Sequence, residues 1–426
     1  MHSLPANPSS RPLSHAWQLR EAVLLSFCDP LPAEYARLLH LSRKEWENLL
    51  HWLDTSGLAL YFLNRVEELG LLETLPLPVI ARLQQNLADN SKRLEGMIAA
   101  LAEIQRRFQA AGLAFAVLKG FSLWPISVPK LELRSQLDLD LLVAEENSLE
   151  ARRILEDAGY RLTAIGGASG RHWEFKANEG PPSSLKDHYR ASPSRSAELH
   201  IETVGAGRTS QLSRIQKLDF RGVTMPVLSP IDLFVGQGLH VYHHVCSGFL
   251  RTAHLLEFYR HVIARRSDDV FWCRLQEQVG SDQVTCVRLG MVMLLISRVM
   301  GRFAPEALTF WTVDQLPATA RLWVDMYARR MALASFPGSK LYLLLQEEMM
   351  PMGLASKLSR KQALLPRRLP RAITQPVDGE TFPARMKRYR IQLHFFLFRL
   401  RFHIFEGILY LRESILWRQN MNRVSR

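Results

Sequence analysis

The chain has 426 residues, enough for two or three folding units with a core apiece. Hydrophobic content of 47% and charged content of 22% are ordinary for a globular protein. Four widely spaced cysteines (Cys28, Cys246, Cys273, Cys286), none in a CxxC pair, indicate neither a zinc knuckle nor a disulfide framework and suit a reducing, cytoplasmic setting.

Residues 1–15 are Pro/Ser-rich, with no apolar run before Trp17, so they read as disordered and not as a secretory signal. Residues 16–110 carry apolar positions at helical spacing: Leu49, Leu50, Leu53 and Leu58, then Leu94, Met97, Ile98, Leu101 and Ile104. The pattern changes over 111–227, where strands and helices intermix. A strand is expected over 113–118 and a turn at Lys119-Gly120, with a helix beginning at Phe121. A second strand spans Leu137 to Val143, an amphipathic helix Asn147 to Ala158 ends at Gly159, and further strands cover 160–165 and 197–202. Ser229-Pro230 opens a helical region over 228–350. Its longest apolar run, Leu289 to Ser297, is too short to span a bilayer. Residues 351–385 form a basic Pro-rich linker, and 386–426 a basic aromatic helix. The fold class is therefore α+β, a mixed β-sheet core flanked by helical regions.

The chemistry concentrates in Leu137-Asp138-Leu139-Asp140-Leu141-Leu142-Val143. Residues two apart on a strand share a face, so Asp138 and Asp140 point the same way. Adjacent like charges persist where a divalent cation neutralises them, and paired acids with Mg²⁺ (or Mn²⁺) suit phosphoryl or nucleotidyl transfer. A third ligand from an adjacent strand is expected at Glu198 in Ala-Glu-Leu-His-Ile-Glu. Glu202 shares its face and is the weaker candidate. For the phosphates, Lys119 supplies a point charge, Gly120 close backbone approach, Ser122 a hydroxyl and Arg134 a planar fork.

Leu118-Lys119-Gly120, Arg134, Asp138-Leu139-Asp140-Leu141-Leu142-Val143, Ala158-Gly159-Tyr160 and Glu198-Leu199-His200 together resemble the uncharacterised nucleotidyltransferase family, within the DNA polymerase β-like nucleotidyltransferase superfamily. The resemblance covers roughly residues 95–260. The superfamily usually shows Gly-Ser at the strand–helix turn, where this chain has Lys119-Gly120 with Ser122 two residues on. Ile201 stands where the narrower family often has an aromatic residue. The resemblance implies metal-dependent transfer of a nucleoside monophosphate from an NTP, with release of pyrophosphate. It leaves the acceptor, a small molecule, saccharide or protein, unidentified. The rival reading is a catalytically inactive nucleotide-binding or scaffold protein acting through its basic tail.

Two further features stand outside that set. His240 and His244 are four apart on a helix, and His254, Glu257 and His261 follow at helical spacing. The pair permits a zinc reading, but there is no HExxH, and packing or cleft-lining histidines are the simpler reading. His240 and Arg251 are candidates for the cleft wall. The net charge of +13 resides in the tail: residues 351–426 hold 16 Lys/Arg against 4 Asp/Glu, and the first 350 hold 38 against 37. An anionic membrane surface or an acidic partner would therefore meet residues 386–426, where Leu393, Leu397, Leu400, Ile404, Ile408, Leu411 and Ile415 make a heptad-like stripe. Packing of that stripe onto the body as a core helix is the first reading, with an anionic membrane and a partner or nucleic acid as the alternatives. The near-neutral body lacks a basic channel for nucleic acid. Localisation is expected to be cytoplasmic, peripheral to the inner face of the membrane.

Overall fold

The computed structural model describes residues 14–166, 170–177, 188–189, 191, 195–204, 209–335, 337–349, 363–364 and 381–424. Of the disorder expected over 1–15, residues 1–13 lie outside the described residues and His15 already opens the first helix; most of the 351–385 linker also lies outside them. Helices α1 (His15–Leu25), α2 (Arg43–Ser56), α3 (Ala59–Glu68) and the 34-residue α4 (Leu77–Ala110) come first. Their ends follow local chemistry. Ser42 and Glu45 cap α2 reciprocally, and Gly57 closes it in a left-handed conformation (φ 76°). Leu83, Leu94, Leu101, Ile104 and Phe108 form the buried stripe of α4.

A mixed seven-stranded sheet follows: β1 (Phe115–Leu118), β2 (Leu139–Ala144), β3 (Tyr160–Gly166), β4 (His172–Ala177), β5 (Ser196–Glu202), β6 (Gln216–Phe220) and β7 (Val223–Val227), with α5 (Ser148–Asp157) between β2 and β3. The spatial order is β3-β4-β5-β2-β1-β7-β6. β2 is antiparallel to β1 and parallel to β5, and β1 is parallel to β7. β4 falls where the sequence suggested only a connection. Its His-Trp-Glu-Phe-Lys-Ala run alternates weakly and is held as a strand by neighbours on both sides, β3 and β5. The β6–β7 hairpin turns through Arg221 and Gly222, both at positive φ, the geometry of a tight two-residue turn.

The pleat of β2 divides its residues between two environments. Leu139, Leu141 and Val143 enter the main core with Phe115, Val117, Phe175, Ala197 and Leu199. Asp140 and Leu142 face the other way, where Leu142 packs with Ala116, Leu212 and Leu228 in a small separate cluster. Each buried Leu or Val contributes about 1.5–3 kcal/mol, so a one-residue slip of register, which would bury the carboxylates in the main core, is strongly disfavoured.

Beyond the sheet come α6 (Pro230–Ser247), α7 (Thr252–Ala264), α8 (Asp269–Val279), α9 (Gln283–Met300), the short α10 (Glu306–Thr309), α11 (Ala318–Leu333) and α12 (Tyr342–Met349). Ser229 caps α6, with Pro230 in its first turn. α9 is longer than the apolar run read from sequence and meets the length and composition of a membrane span. It is, however, 72% buried inside the fold, packed against α1, α6, α7 and α11.

The last helix, α13 (Phe382–Val424), has 43 residues, roughly 65 Å of helix. Among its described residues only Tyr410, Glu413 and Trp417 are buried, at i, i+3 and i+7, with Tyr327 beside Trp417. Ser339 also donates to Glu406 from the body. The heptad-like stripe is not the packing face: Leu393, Leu397, Leu400, Ile404, Ile408, Leu411 and Ile415 are all exposed. The docking residues are instead a different, partly polar set.

Candidate active site

β1 runs out at Lys119-Gly120, and both residues adopt positive φ (45° and 40°). For Lys119 that conformation costs on the order of 1–3 kcal/mol, and it aims the side chain back over the sheet. Gly120 admits no side chain, because a Cβ there would collide with the amide of Gln136. That amide donates to the carbonyl of Asp138 (2.7 Å), so the turn and the acidic strand are tied together. The helix expected at Phe121 is one 3₁₀ turn, Gly120–Leu123. Pro125 drives Trp124 into an extended conformation (ψ 143°) and stops it, so no long helix N-terminus faces an anion. Ser122 is turned inward, 3% exposed, its hydroxyl donating to the Lys119 carbonyl (2.9 Å).

Asp138 precedes β2 and Asp140 lies within it. The parallel β2–β5 register sets Asp140 beside Glu198, and the antiparallel β1–β2 register sets Leu118, next to Lys119, beside Asp140. Lys119 Nζ donates to Asp140 (2.8 Å) and lies 3.9 Å from Glu198. His200 Nε2 is 3.0 Å from Asp140 and 3.6 Å from Glu198. His172 on β4, in register with His200, stacks on it (ring centroids 4.9 Å) and places Nε2 2.9 Å from Glu198. Glu202 shares the parity of Glu198 but sits at the far end of β5. There it accepts from Ser210 and from the Gln211 backbone N–H (2.6 Å each), which anchors a loop.

The acids are electrically unequal. Burial, then the charges of Asp140 and Glu198, push the Asp138 carboxyl up to about 7. Burial acts the same way on Asp140, but Lys119 and His200 outweigh it and hold that carboxyl far below the usual range. Glu198 also resists burial: His172 and His200 bring it down to about 2. The partners respond in turn. Despite burial, Lys119 and His200 keep their protons more firmly than usual, because Asp140 and Glu198 stabilise the cations. Asp140 is thus balanced by neighbouring cations, and Asp138 carries the charge that is hardest to accommodate.

Arg134 is placed by α4, whose Asn90 donates to the carbonyls of Glu132 (2.6 Å) and Arg134 (3.0 Å). Its guanidinium donates to Glu257 on α7 (3.1 Å), and Tyr61 donates to the same carboxylate (2.8 Å). Burial opposes its charge, but Glu257, Asp138 and Asp140 reinforce it. Lys119, Arg134, Gln237, His240, His254 and Glu257 line one cleft between the sheet and α6–α7. Burial pushes the Arg251 guanidinium, at the start of α7, below its ordinary value, and Asp138 only partly offsets it. Burial and neighbouring cations keep His240 and His254 well below the ordinary histidine range.

The structure therefore gathers Lys119, Gly120, Arg134, Asp138, Asp140 and Glu198, turns Ser122 away, and leaves Glu202 apart. It adds His172, His200 and Glu257; of the two cleft-wall candidates, His240 lines the cleft and Arg251 is not among its lining residues. For His172 the signal is the β4–β5 register, which no local sequence pattern announces. The arrangement sets carboxylates of the hard-oxygen type that Mg²⁺ or Mn²⁺ takes beside the cleft, while the donor atoms close enough to share an ion as they stand are those of Glu198, His172 and His200.

A family model described as an uncharacterised nucleotidyltransferase matches residues 42–301. Among solved structures, an antigenic nucleotidyltransferase-like protein from Paracoccidioides brasiliensis is similar to this chain at 12% identity, over 52% of this chain and 98% of that one, with a TM-score of 0.29. No curated protein matches.

Proposed function

Because the chain belongs to the uncharacterised nucleotidyltransferase family, whose membership supports nucleotidyl transfer in general, we propose that it moves a nucleoside monophosphate from an NTP to an acceptor hydroxyl, amine or phosphate, using Mg²⁺ or Mn²⁺. The observation that carries this reading is the alignment of Asp140 with Glu198 on parallel neighbours, with Asp138 just before and Lys119 alongside. A divalent ion held by Asp138, Asp140 and Glu198 would neutralise charge on the phosphates and on the departing pyrophosphate. Asp138, crowded by like charge, gains most from such a counter-ion. Glu198, held at about 2, is a poor proton acceptor and acts as a fixed negative charge. Lys119 exchanges Asp140 for a phosphate oxygen when nucleotide enters, and Arg134, fixed by Glu257, orients the phosphates.

The test is incubation with α-labelled NTPs, Mg²⁺ or Mn²⁺ and cell extract as acceptor source. We expect label transfer by the wild type and at least about a 100-fold loss in Asp138→Ala/Asp140→Ala. Binding of all four NTPs without turnover would support the inactive binding module instead.

The reading includes a second partner. The exposed apolar side chains of α13 accompany nine Lys/Arg against Glu406 and Glu413, which suits insertion among anionic lipids. On this view the protein is cytoplasmic and works at the inner face of the membrane. Full-length protein should float with anionic vesicles and not with neutral ones. Lys387→Glu/Arg390→Glu/Arg401→Glu should abolish flotation; equal binding to both vesicle types would end the idea.

A further inference from the structure

Gly248, in a left-handed conformation (φ 73°), ends α6 and lets the chain double back into α7. His254, in the first turn of α7, thereby meets His240 and His244, which share one face of α6. The rings crowd together: centroids are 4.3 Å apart for His240 and His244, 5.2 Å for His240 and His254, and 4.8 Å for His244 and His254. One imidazole nitrogen from each lies within 4.8 Å of the other two. The other candidates at this spacing are engaged elsewhere: His261 is bonded to Gln237, and Glu257 to Arg134 and Tyr61.

Two observations separate this cluster from ordinary packing. Nδ1 of His254 is buried with no hydrogen-bond partner among the described residues, which leaves it as a donor atom for an ion. The Nε2 atoms of His240 and His244 are 3.1 Å apart. Two nitrogens on a tetrahedral Zn²⁺ with bonds of about 2.0–2.1 Å stand about 3.3 Å apart, so this pair needs little movement to share an ion.

We propose that His240, His244 and His254 form a second metal site, specific for a borderline ion such as Zn²⁺, distinct from the carboxylate site. Three imidazoles are the wrong donors for Mg²⁺, which takes oxygen, and the right ones for Zn²⁺. With three protein ligands the fourth position stays open, and it faces the cleft, because His240 and His254 line that cleft beside Lys119 and Arg134. The ion would clamp α6 to α7 and fix the cleft wall opposite the acids.

The test uses full-length protein stripped with a chelator and titrated with Co²⁺, then Zn²⁺. One equivalent of Co²⁺ should bind with visible d–d absorption, be displaced by Zn²⁺, and raise the thermal midpoint. His244→Ala and His254→Ala should lose that equivalent. His254→Gln, closer in size, guards against simple misfolding, and the wild-type spectrum stands without any variant. Asp138→Asn/Asp140→Asn should keep the bound ion, so the outcome is independent of nucleotidyl transfer. His172→Ala should keep it as well, which distinguishes this site from the His172, Glu198 and His200 group. Absence of a Co²⁺ spectrum in the wild type, or its loss in His172→Ala but not in His254→Ala, would overturn the proposal and leave a hydrogen-bonded histidine cluster only.

Discussion

Residues of one apparent class do different work here. Ser122 and Arg134 look alike in sequence as phosphate donors, and burial separates them. Ser122 closes a turn by bonding the Lys119 carbonyl. Ser122→Ala should leave nucleotide affinity unchanged by calorimetry and lower stability by only about 0.5–1.5 kcal/mol. Arg134 is the counter-charge of Glu257, which is 3% exposed. Arg134→Ala strands that carboxylate, and chemical denaturation should show a loss of about 3–5 kcal/mol. Unchanged stability with lost nucleotide affinity would instead make Arg134 a pure ligand contact.

At the scale of elements, the site is a product of register. The Asp138-Leu139-Asp140 alternation announces a strand, and the strand forms with its acids off the main core. That Glu198 and not Glu202 joins them follows from β5 pairing in parallel with β2, information carried by neither strand alone. The Lys119-Gly120 turn links the elements, since Gly120 leaves room for the Gln136 amide that holds the Asp138 carbonyl. Gly120→Ala should displace Gln136, cost about 1–3 kcal/mol in denaturation, and reduce label transfer by more than its loss of stability accounts for. Retained transfer in a stable Gly120→Ala protein would show that Asp138 is held by other means. The expected helix after Gly120 failed on one residue: Pro125 overrides the helical pattern before it begins.

At the scale of the molecule, one continuous core joins the N-terminal helices, the sheet and the C-terminal helices. Burial at its centre makes stability depend on pH. His261 donates from Nδ1 to Gln237 and accepts at Nε2 from Arg265, so it is neutral in the fold. Burial, then Arg265, lower it to about 3 from an ordinary 6.5. Between those values the unfolded chain binds the extra proton. Stability is therefore fully present above about pH 6.5 and falls on acidification, by on the order of 4 kcal/mol near pH 3. Thermal melts from pH 7 to 4 should show the decline, and His261→Gln should flatten it. An equal slope in the variant would place the acid sensitivity elsewhere.

What the sequence determined by itself was local: the 229–230 helix start, the strand with alternating acids, the α+β order, and the Lys119, Arg134, Asp138, Asp140 and Glu198 candidates. Each is readable because periodicity, capping and turn chemistry act over a few neighbouring residues. Only the tertiary structure decided which candidates meet. Strand register aligned His172 and His200 with the acids, a helical hairpin brought His254 to His240 and His244, and burial turned Ser122 inward and the α13 stripe outward. Those outcomes depend on contacts between residues far apart in the chain, and such pairings have no signature within a single stretch of sequence.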